Sequence, residues 1–430
     1  MVIKSKKHIT IIVLIALITG IALSQSSKHH KTYRALGKEL PKTLEYFDGT
    51  PIKTKEQWIT KRRPEILSMF EETIYGAVPY DIGISSQVTI EESNSALNDL
   101  ATRKQIALHF KNNGKTLTAY LLIYLPKNNP KAPIFLGYNY YGNHTILNDP
   151  EIILTTTWVK NKSSLNIKNN TSNEVARGAR NYRWPVKRLL EAGYGLATLC
   201  YNDIDPDFDD FSNGIHSLLY ANGQSKPDAS QWGAISAWSW GLSKVMDYFE
   251  TDSDIDSKKV ILVGHSRLGK TALWTAAQDQ RFAMCIANGS GCGGAALFRR
   301  QHGETIKDIN RRFPHWFCDN FKQYKNNEFE LPIDQHMLIS LIAPRPLYLS
   351  GASEDEWADP EGEYLSAYYA TPVYRLFGKK GLDSPIAPSL HSPIRNTIGF
   401  HIRKGEHDVT YYDWEQFIAF SNLHFKTKNH

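Results

Sequence analysis

The chain has 430 residues, of which 41% are hydrophobic and 22% are charged, and its formal net charge at pH 7 is +6. This composition is that of a globular enzyme, and no basic stripe accompanies the positive charge, which argues against nucleic-acid binding. The length is large for one domain, although single α/β domains with insertions reach this size.

The N-terminus is typical of a secretory signal peptide over residues 1–24. Lys4, Lys6 and Lys7 form a basic start, and the apolar stretch 9–23 is too short to span a bilayer as a helix. Removal of this segment lowers the net charge to +3. We therefore expect a periplasmic or secreted protein with no stable membrane insertion after cleavage, the alternative being an uncleaved membrane anchor.

Residues 25–430 are predicted to form a single catalytic domain with an N-terminal extension and surface insertions. In chain order, the first predicted elements are a helix and four strands, at 58–75, 88–90, 105–110, 117–125 and 132–139. Residues 145–180 are polar and lack a period, which predicts a surface insertion.

Strands alternate regularly with helices after this insertion. The predicted strands are 195–200, 260–263, 282–287, 346–351 and 399–403, and the predicted helices are 184–192, 231–249 (amphipathic), 271–277, 336–342, 364–376 and 413–425. An acidic loop at 203–210 and a long excursion at 289–327 interrupt the series. Such alternation predicts an α/β fold with a mainly parallel, doubly wound sheet.

The segment 258–270 joins a buried strand to a helix through a serine. The strand residues are apolar and mostly β-branched, Gly264 ends the strand, and Gly269 lets the chain enter the helix. Ser266 at such a turn is typical of the nucleophile elbow of α/β-hydrolases. Because Leu268 stands where the G-x-S-x-G pattern has its second glycine, an incidental serine on an ordinary turn is the alternative.

A nucleophilic serine needs a histidine base and an acid that orients this base. α/β-Hydrolases supply them in the order serine, acid, histidine, each at the carboxyl end of a strand. Here the acidic run Glu354, Asp355 and Glu356 follows one strand, and His407 follows the last strand. The order predicts an α/β-hydrolase fold, a three-layer sandwich, with the acid to be chosen among these three carboxylates.

The four cysteines, Cys200, Cys285, Cys292 and Cys318, fit an oxidising compartment without establishing a disulfide. Cys285 lies in an apolar strand, which predicts a buried thiol, and Cys292–Cys318 is the first pair to test. The sequence has no H-E-x-x-H motif and no Cys/His cluster of ligand spacing, so neither a metal nor a cofactor is expected.

Six stretches resemble the glucuronoyl esterases, carbohydrate esterase family 15, and their bacterial members in particular. They are GHSRLGK (264–270), NGSGCGGAALFRRQHGETI (288–306), FPHWFC (313–318), LPIDQHMLISLIAPRPLYL (331–349), EDEWADPEGEY (354–364) and HIRKGEHDVTYYDWEQF (401–417). The likeness covers most of the chain from about residue 130 onwards. The G-x-S-R-x-G-K motif is specific to this family among α/β-hydrolases.

The resemblance implies three catalytic roles in this region. Ser266 would attack the ester carbonyl, and His407 would take its proton and pass it to the leaving alcohol. Arg267 would stabilise the oxyanion through its backbone N–H and its guanidinium group. An ordinary surface charge is the alternative for Arg267.

The resemblance also implies three sugar-binding residues. Lys270 would hold sugar hydroxyls, and Glu304 and Trp357 match positions that bind the glucuronate ring, with Trp357 supplying an apolar surface and one N–H donor. The alternatives are a solvated helix lysine for Lys270, a surface ion pair for Glu304 and core packing for Trp357.

One departure from the family pattern affects the acid. Many relatives carry a glutamate after the strand that follows the nucleophile helix, where this chain has Gly289. The resemblance therefore favours Asp355 as the acid of the triad, with Glu354 or Glu356 as the alternatives.

Together these features predict a serine esterase, a carboxylic ester hydrolase of the 4-O-methyl-glucuronoyl methylesterase type. The substrate implied by the resemblance is a polysaccharide, 4-O-methyl-glucuronate of xylan esterified to lignin alcohols. Two alternatives are another carbohydrate esterase, such as a xylan acetylesterase, and a non-catalytic polysaccharide-binding protein on a hydrolase scaffold.

Overall fold

Ten strands form one sheet within the residues that the computed structural model describes, which are 39–129, 131–221 and 223–425. The predicted signal peptide lies outside these residues. The strands are β1 (Ser86–Ser95), β2 (Ala101–Asn112), β3 (Lys115–Pro126), β4 (Ile134–Asn139), β5 (Gly195–Cys200), β6 (Val260–His265), β7 (Met284–Asn288), β8 (Leu347–Ala352), β9 (Ile394–Arg395) and β10 (Ile398–Arg403).

The strand order is β1-β2-β3-β5-β4-β6-β7-β8-β10-β9. The six strands from β5 to β10 along this order are parallel, whereas β1, β2, β3 and β9 pair antiparallel at the two edges. His265 pairs with Asn288, and Arg403 pairs with Ala352. The carboxyl ends of β6, β7, β8 and β10 therefore lie side by side, which is where ligands bind in open α/β sheets.

The described residues include eight α-helices of six or more residues: α1 (Arg63–Phe70), α2 (Val186–Glu191), α3 (Ala234–Phe249), α4 (Arg267–Gln278), α5 (Ile306–Arg312), α6 (Gln335–Ile342), α7 (Pro360–Leu376) and α8 (Tyr411–Phe425). Side chains alternate between the two faces of the central strands, as period-2 geometry requires. Leu262 joins the apolar cluster that includes α1, α3, α4, α6 and α7, whereas Ile261 and Val263 join the cluster with α2 and α8. The result is the expected three-layer arrangement.

The helix predicted over 58–75 is present and ends at Gly76. It begins at Lys55–Gln57 and alternates between α-helical and π-helical turns, the latter at Trp58–Arg62 and Glu71–Tyr75. The stack of Tyr75 on Trp274, with ring centroids 4.3 Å apart, docks its end against α4. No helix in the described ranges is long and apolar enough to cross a membrane.

Two predicted segments differ from expectation. The sequence predicts an amphipathic helix α3 with one solvent-exposed face, but every residue of the helix except Ser243 and Asp247 is buried. The end of the N-terminal helix and neighbouring loops cover the face that points away from the sheet. The segment 145–180 contains 3₁₀ turns and isolated bridges, and many of its residues are exposed, but several apolar side chains anchor it to the body of the protein. Its buried apolar residues are Ile146, Ile152, Val159, Leu165, Ile167 and Ala176.

Candidate active site

Ser266 lies at the turn between β6 and α4 and caps the N-terminus of the helix. Its backbone angles, φ 59° and ψ −128°, are sparsely populated by residues other than glycine, and such strain persists only where the surroundings fix it. A Cβ atom on Gly264 would clash with the carbonyl group of Leu268. One on Gly269 would lie 3.1 Å from Cβ of Ser290. The second position at which the turn packs too closely for a side chain is therefore Gly269. Residue 268 is not at such a position, so the turn accepts a leucine there.

Asp355 and His407 come together after β8 and β10. Nδ1 of His407 lies 2.5 Å from Oδ2 of Asp355. Asp355 is buried, whereas Glu354 and Glu356 are exposed. Among the three candidate carboxylates, Asp355 is therefore the one placed to fix the tautomer and orientation of the imidazole.

Gly289 follows β7 and faces the same histidine. Its φ of +51° lies in the left-handed region, and a Cβ atom there would lie 3.3 Å from Nδ1 of His407 and 3.5 Å from Oδ2 of Asp355. A longer side chain at this position would therefore start beside the ring nitrogen that Asp355 contacts. The geometry explains how an acid after β7 or an acid after β8 can serve one histidine.

Arg267 is held in place by a buried carboxylate and an aromatic ring. Its guanidinium group pairs with Asp207 and lies 4.7 Å from the centroid of the Trp316 ring. Asp207 also accepts hydrogen bonds from Nε1 of Trp316 at 2.8 Å, Nε2 of His315 at 3.0 Å and the Tyr201 hydroxyl at 2.8 Å. Burial opposes the charge of Asp207, but Arg267 and these donors outweigh it and hold its pKa well below the ordinary value.

Lys270 lies one helical turn after the serine and is 4% exposed, so it is not a solvated helix lysine. Its Nζ donates a 2.5 Å hydrogen bond to the carbonyl oxygen of Ser290. Burial lowers the pKa of Lys270, while the nearby carboxylate of Glu304 acts in the opposite direction. The ammonium group is thus fixed at the base of the site, with donors remaining for a ligand.

The loop that receives Lys270 is supported from below by Glu363 on α7. Oε1 of Glu363 accepts hydrogen bonds from the Ser290 hydroxyl at 2.6 Å and from the N–H of Gly291 at 2.8 Å. Burial raises the pKa of Glu363 to about 8, so this carboxyl group is protonated at neutral pH.

We expect Glu363→Gln to become progressively more stable than the wild type as pH rises from about 5 to about 9. In the unfolded chain the glutamate ionises near its ordinary value of 4.5, whereas in the folded chain it holds its proton until about 8, so the wild type loses stability through this window. Urea unfolding at pH 5, 7 and 9 measures the difference. The exposed Glu356→Gln is the control, and pH profiles that run parallel for Glu363→Gln and the wild type would contradict the expectation.

Glu304 and Trp357 form the opposite wall of the site. Oε1 of Glu304 lies 3.2 Å from Nη1 of Arg312, whose guanidinium carbon lies 5.3 Å from the centroid of the Trp357 ring. The Glu304 ion pair is therefore present, but at the edge of a pocket rather than on an open surface. Trp357 is 48% exposed, which excludes core packing and leaves its ring free to contact a ligand.

All seven predicted site residues line one open pocket of about 300 Å³. They are Ser266, Arg267, Lys270, Glu304, Asp355, Trp357 and His407. Among the described residues, no group of three or more His, Cys, Asp or Glu side chains is arranged to hold a metal ion. The pocket combines a serine hydroxyl, a histidine held by a carboxylate, a fixed cation and an exposed aromatic ring, an arrangement that suits acyl transfer from a polar substrate.

Sequence reasoning assigned no role to Asp207, His265 or Trp316. The first lies in the predicted acidic loop, and the other two lie in the GHSRLGK and FPHWFC stretches. The ring of His265 lies 4.6 Å from that of His407, and burial lowers its pKa well below the ordinary value, so it stays uncharged. The sequence motifs include or lie near these residues, but they do not show which side chains the residues contact in the folded protein.

All four cysteines are free, buried thiols, so Cys292 and Cys318, the first pair to test, form no disulfide in this structure. Each thiol is packed as a small apolar group in the main hydrophobic cluster. Cys285 lies in strand β7 and is buried, as its apolar sequence neighbours predict.

The chain is similar to characterised bacterial and environmental esterases over most of its length. Carbohydrate esterase MZ0003, from an unknown prokaryotic organism, is 49% identical over 386 residues, which is 90% of this chain and 89% of that protein. The solved structure of a promiscuous CE15 esterase from a marine bacterial metagenome is 48% identical, with a TM-score of 0.85 over 90% of this chain and 97% of that one. The glucuronoyl esterase from Solibacter usitatus is 43% identical, with a TM-score of 0.85 over 90% and 98%.

The sheet order and the strained serine turn define the class of this protein as an α/β-hydrolase. A family model described as glucuronyl esterase, fungi, matches residues 203–378, which contain the serine turn. With the relatives above, the chain belongs to the glucuronoyl esterases of carbohydrate esterase family 15, and it is a carboxylic ester hydrolase.

Proposed function

We propose that this protein hydrolyses esters in which glucuronic acid supplies the acyl group, through a serine triad. The observation that carries the proposal is that the reacting groups share one pocket with three side chains suited to a sugar, Lys270, Glu304 and Trp357. Family membership supports the same class of substrate.

In the first step, Oγ of Ser266 attacks the ester carbonyl while Nε2 of His407 takes the hydroxyl proton. Asp355 holds Nδ1–H of the imidazole and stabilises the imidazolium that forms. The developing oxyanion is stabilised by the backbone N–H of Arg267, which is at the first turn of a helix and so has no partner within it, and by the guanidinium group. His407 then gives its proton to the alcohol oxygen as the C–O bond breaks.

In the second step, water hydrolyses the glucuronoyl-enzyme. His407 takes a proton from the water as its oxygen attacks the acyl carbon, and then returns a proton to Oγ of Ser266 when the acyl bond breaks. The products are a free alcohol and glucuronate. No metal or cofactor is needed to balance either step.

The sugar hydroxyls are recognised by Lys270 and Glu304, and an apolar ring face packs on Trp357. Lys270 can donate hydrogen bonds to the sugar and the carboxylate of Glu304 can accept them, and both side chains line the pocket. We propose 4-O-methyl-glucuronate of xylan, esterified to lignin alcohols, as the natural acyl group. Because the N-terminus is typical of a signal peptide, we propose that the enzyme acts in the periplasm or outside the cell.

We expect efficient hydrolysis of methyl and benzyl glucuronate and far slower release of acetate from acetylated xylose. The acyl pocket is built for a sugar ring, so an acetyl group would leave its binding side chains without contacts. Initial rates at matched concentrations measure the preference. A preference for acetate would instead support a xylan acetylesterase, and an absence of all esterase activity would support a polysaccharide-binding protein.

A further inference from the structure

A second pocket, of about 230 Å³, meets the first pocket at the catalytic groups. The two pockets share Ser266, Arg267 and His407, but their other lining residues are different. The first pocket holds the side chains proposed to bind the sugar. An ester carbonyl at Ser266 therefore directs its alcohol portion toward the second pocket.

This second pocket is strongly basic. Four cationic side chains line it beyond the shared residues, and no Asp or Glu lines it within the described part of the chain. They are Lys160, Lys162, Arg180 and Arg183. Only Arg183 among these four has a carboxylate partner in the described residues, Asp408 at 2.6 Å.

Three positive charges are consequently left without an ion pair at the entrance to the reacting groups. Lys160 and Lys162 are exposed, and neither forms an ion pair with a described residue. Arg180 donates to the Tyr182 hydroxyl at 2.8 Å and lies 5.2 Å from the centroid of the Tyr141 ring, while its buried Nε has no hydrogen-bond partner among described atoms. Like charges that line one pocket repel one another, and an anion bound in the pocket relieves the repulsion.

Aromatic rings complete the lining. Tyr140 and Tyr141 lie with ring centroids 6.3 Å apart, and Tyr201 packs edge-on against Tyr140 at 5.5 Å. The ring faces can pack against the body of an alcohol, whereas the hydroxyls of Tyr140 and Tyr201 already donate to the carbonyl oxygen of His265 at 2.6 Å and to Asp207 at 2.8 Å. The combination of tyrosines with unpaired cations differs from the first pocket, where Glu304 and Asp355 balance part of the positive charge.

We infer that the second pocket selects alcohols that carry a negatively charged group, a carboxylate or a sulfate, attached to a ring or chain that packs on the tyrosines. This inference rests on the proposed function, because it assigns the alcohol side of the same ester. Both anionic groups present oxygen acceptors to lysine and arginine, so they share one recognition chemistry.

The test uses the full enzyme and four esters of glucuronic acid: benzyl, 4-carbamoylbenzyl, 4-carboxybenzyl and 4-(sulfooxy)benzyl. The carbamoyl ester matches the carboxylate in shape and lacks its charge. We expect kcat/KM to be about tenfold higher for the anionic esters at low salt, and this ratio to fall toward one as salt screens the charges. Whichever of the 4-carboxybenzyl and 4-(sulfooxy)benzyl esters has the higher kcat/KM shows which anionic group the second pocket prefers.

The double variant Lys160→Gln/Lys162→Gln should reduce the charged-to-neutral ratio to about one or two. Lys53→Gln/Lys55→Gln removes the same charge from exposed residues that line neither pocket, and should keep the wild-type ratio. Equal rates on charged and neutral esters, or a ratio that survives the Lys160/Lys162 change, would overturn the inference while leaving the proposed function in place. Failure to hydrolyse any of the four esters would overturn the proposed function, and the inference with it.

Discussion

Replacing Ser266 with alanine is expected to lower kcat for benzyl glucuronate by about 10⁶-fold. The change removes the hydroxyl on the strained turn between β6 and α4, and with it the nucleophile of the proposed covalent intermediate. Alanine is smaller than serine and is compatible with the same packing, so the loss should fall on the chemical step. Steady-state kinetics with circular dichroism of the variant separate lost chemistry from lost folding.

Binding should survive this substitution. The side chains proposed to hold the sugar are Lys270, Glu304 and Trp357, and their contacts do not involve the serine hydroxyl. Glucuronate should therefore bind Ser266→Ala within about threefold of the wild type, as measured by calorimetry. A Ser266→Ala variant that hydrolysed the ester within tenfold of the wild type would contradict the nucleophile assignment.

Asp355→Asn is expected to lower kcat by about 10⁴-fold. The side chain contacts Nδ1 of His407 at 2.5 Å, and an amide there cannot stabilise the imidazolium and favours the wrong tautomer. The loss should appear in kcat rather than in KM, because the carboxylate supports the base rather than the sugar. A pH–rate profile with the substrate in excess measures the effect on the base.

The neighbouring carboxylates give matched controls for this variant. Glu354→Gln and Glu356→Gln remove the same charge from the same turn, but both side chains are exposed. Their kcat values should remain within about twofold of the wild type. If either control lost as much activity as Asp355→Asn, the third member of the triad would have to be reassigned.

Most of the central strands could be predicted because they are nearly continuous apolar runs, as is typical of parallel strands covered on both faces. Strand β1 was recognised only at its middle, since its side chains are exposed or half-buried and carry little periodic pattern. The buried apolar residues that anchor the segment 145–180 could not be predicted for a related reason. Its buried residues are spaced irregularly, so no helix or strand period marks them.

The grouping of Ser266, Asp355 and His407 could be predicted because parallel strands place their carboxyl ends at one edge of the sheet. The ion pair between Arg267 and Asp207 could not be predicted in this way. That contact joins the acidic loop to the first residue of α4, 60 residues away, and the loop contains several aspartates with nothing in the sequence to show which one reaches the arginine. Three of the cationic residues that line the second pocket lie in the segment 145–180, which has no helix or strand period. The positive charge of this pocket could therefore not be predicted from the sequence either.

Covalent labelling of the nucleophile tests the central claim most directly. A phosphonate that carries a glucuronate-like ring should add one label per chain, and mass spectrometry should place it on the peptide that contains Ser266. The account predicts that labelling is lost in Ser266→Ala and slowed by free glucuronate. A wild-type enzyme that remains unlabelled, or a Ser266→Ala variant that is labelled at the same rate, would contradict it.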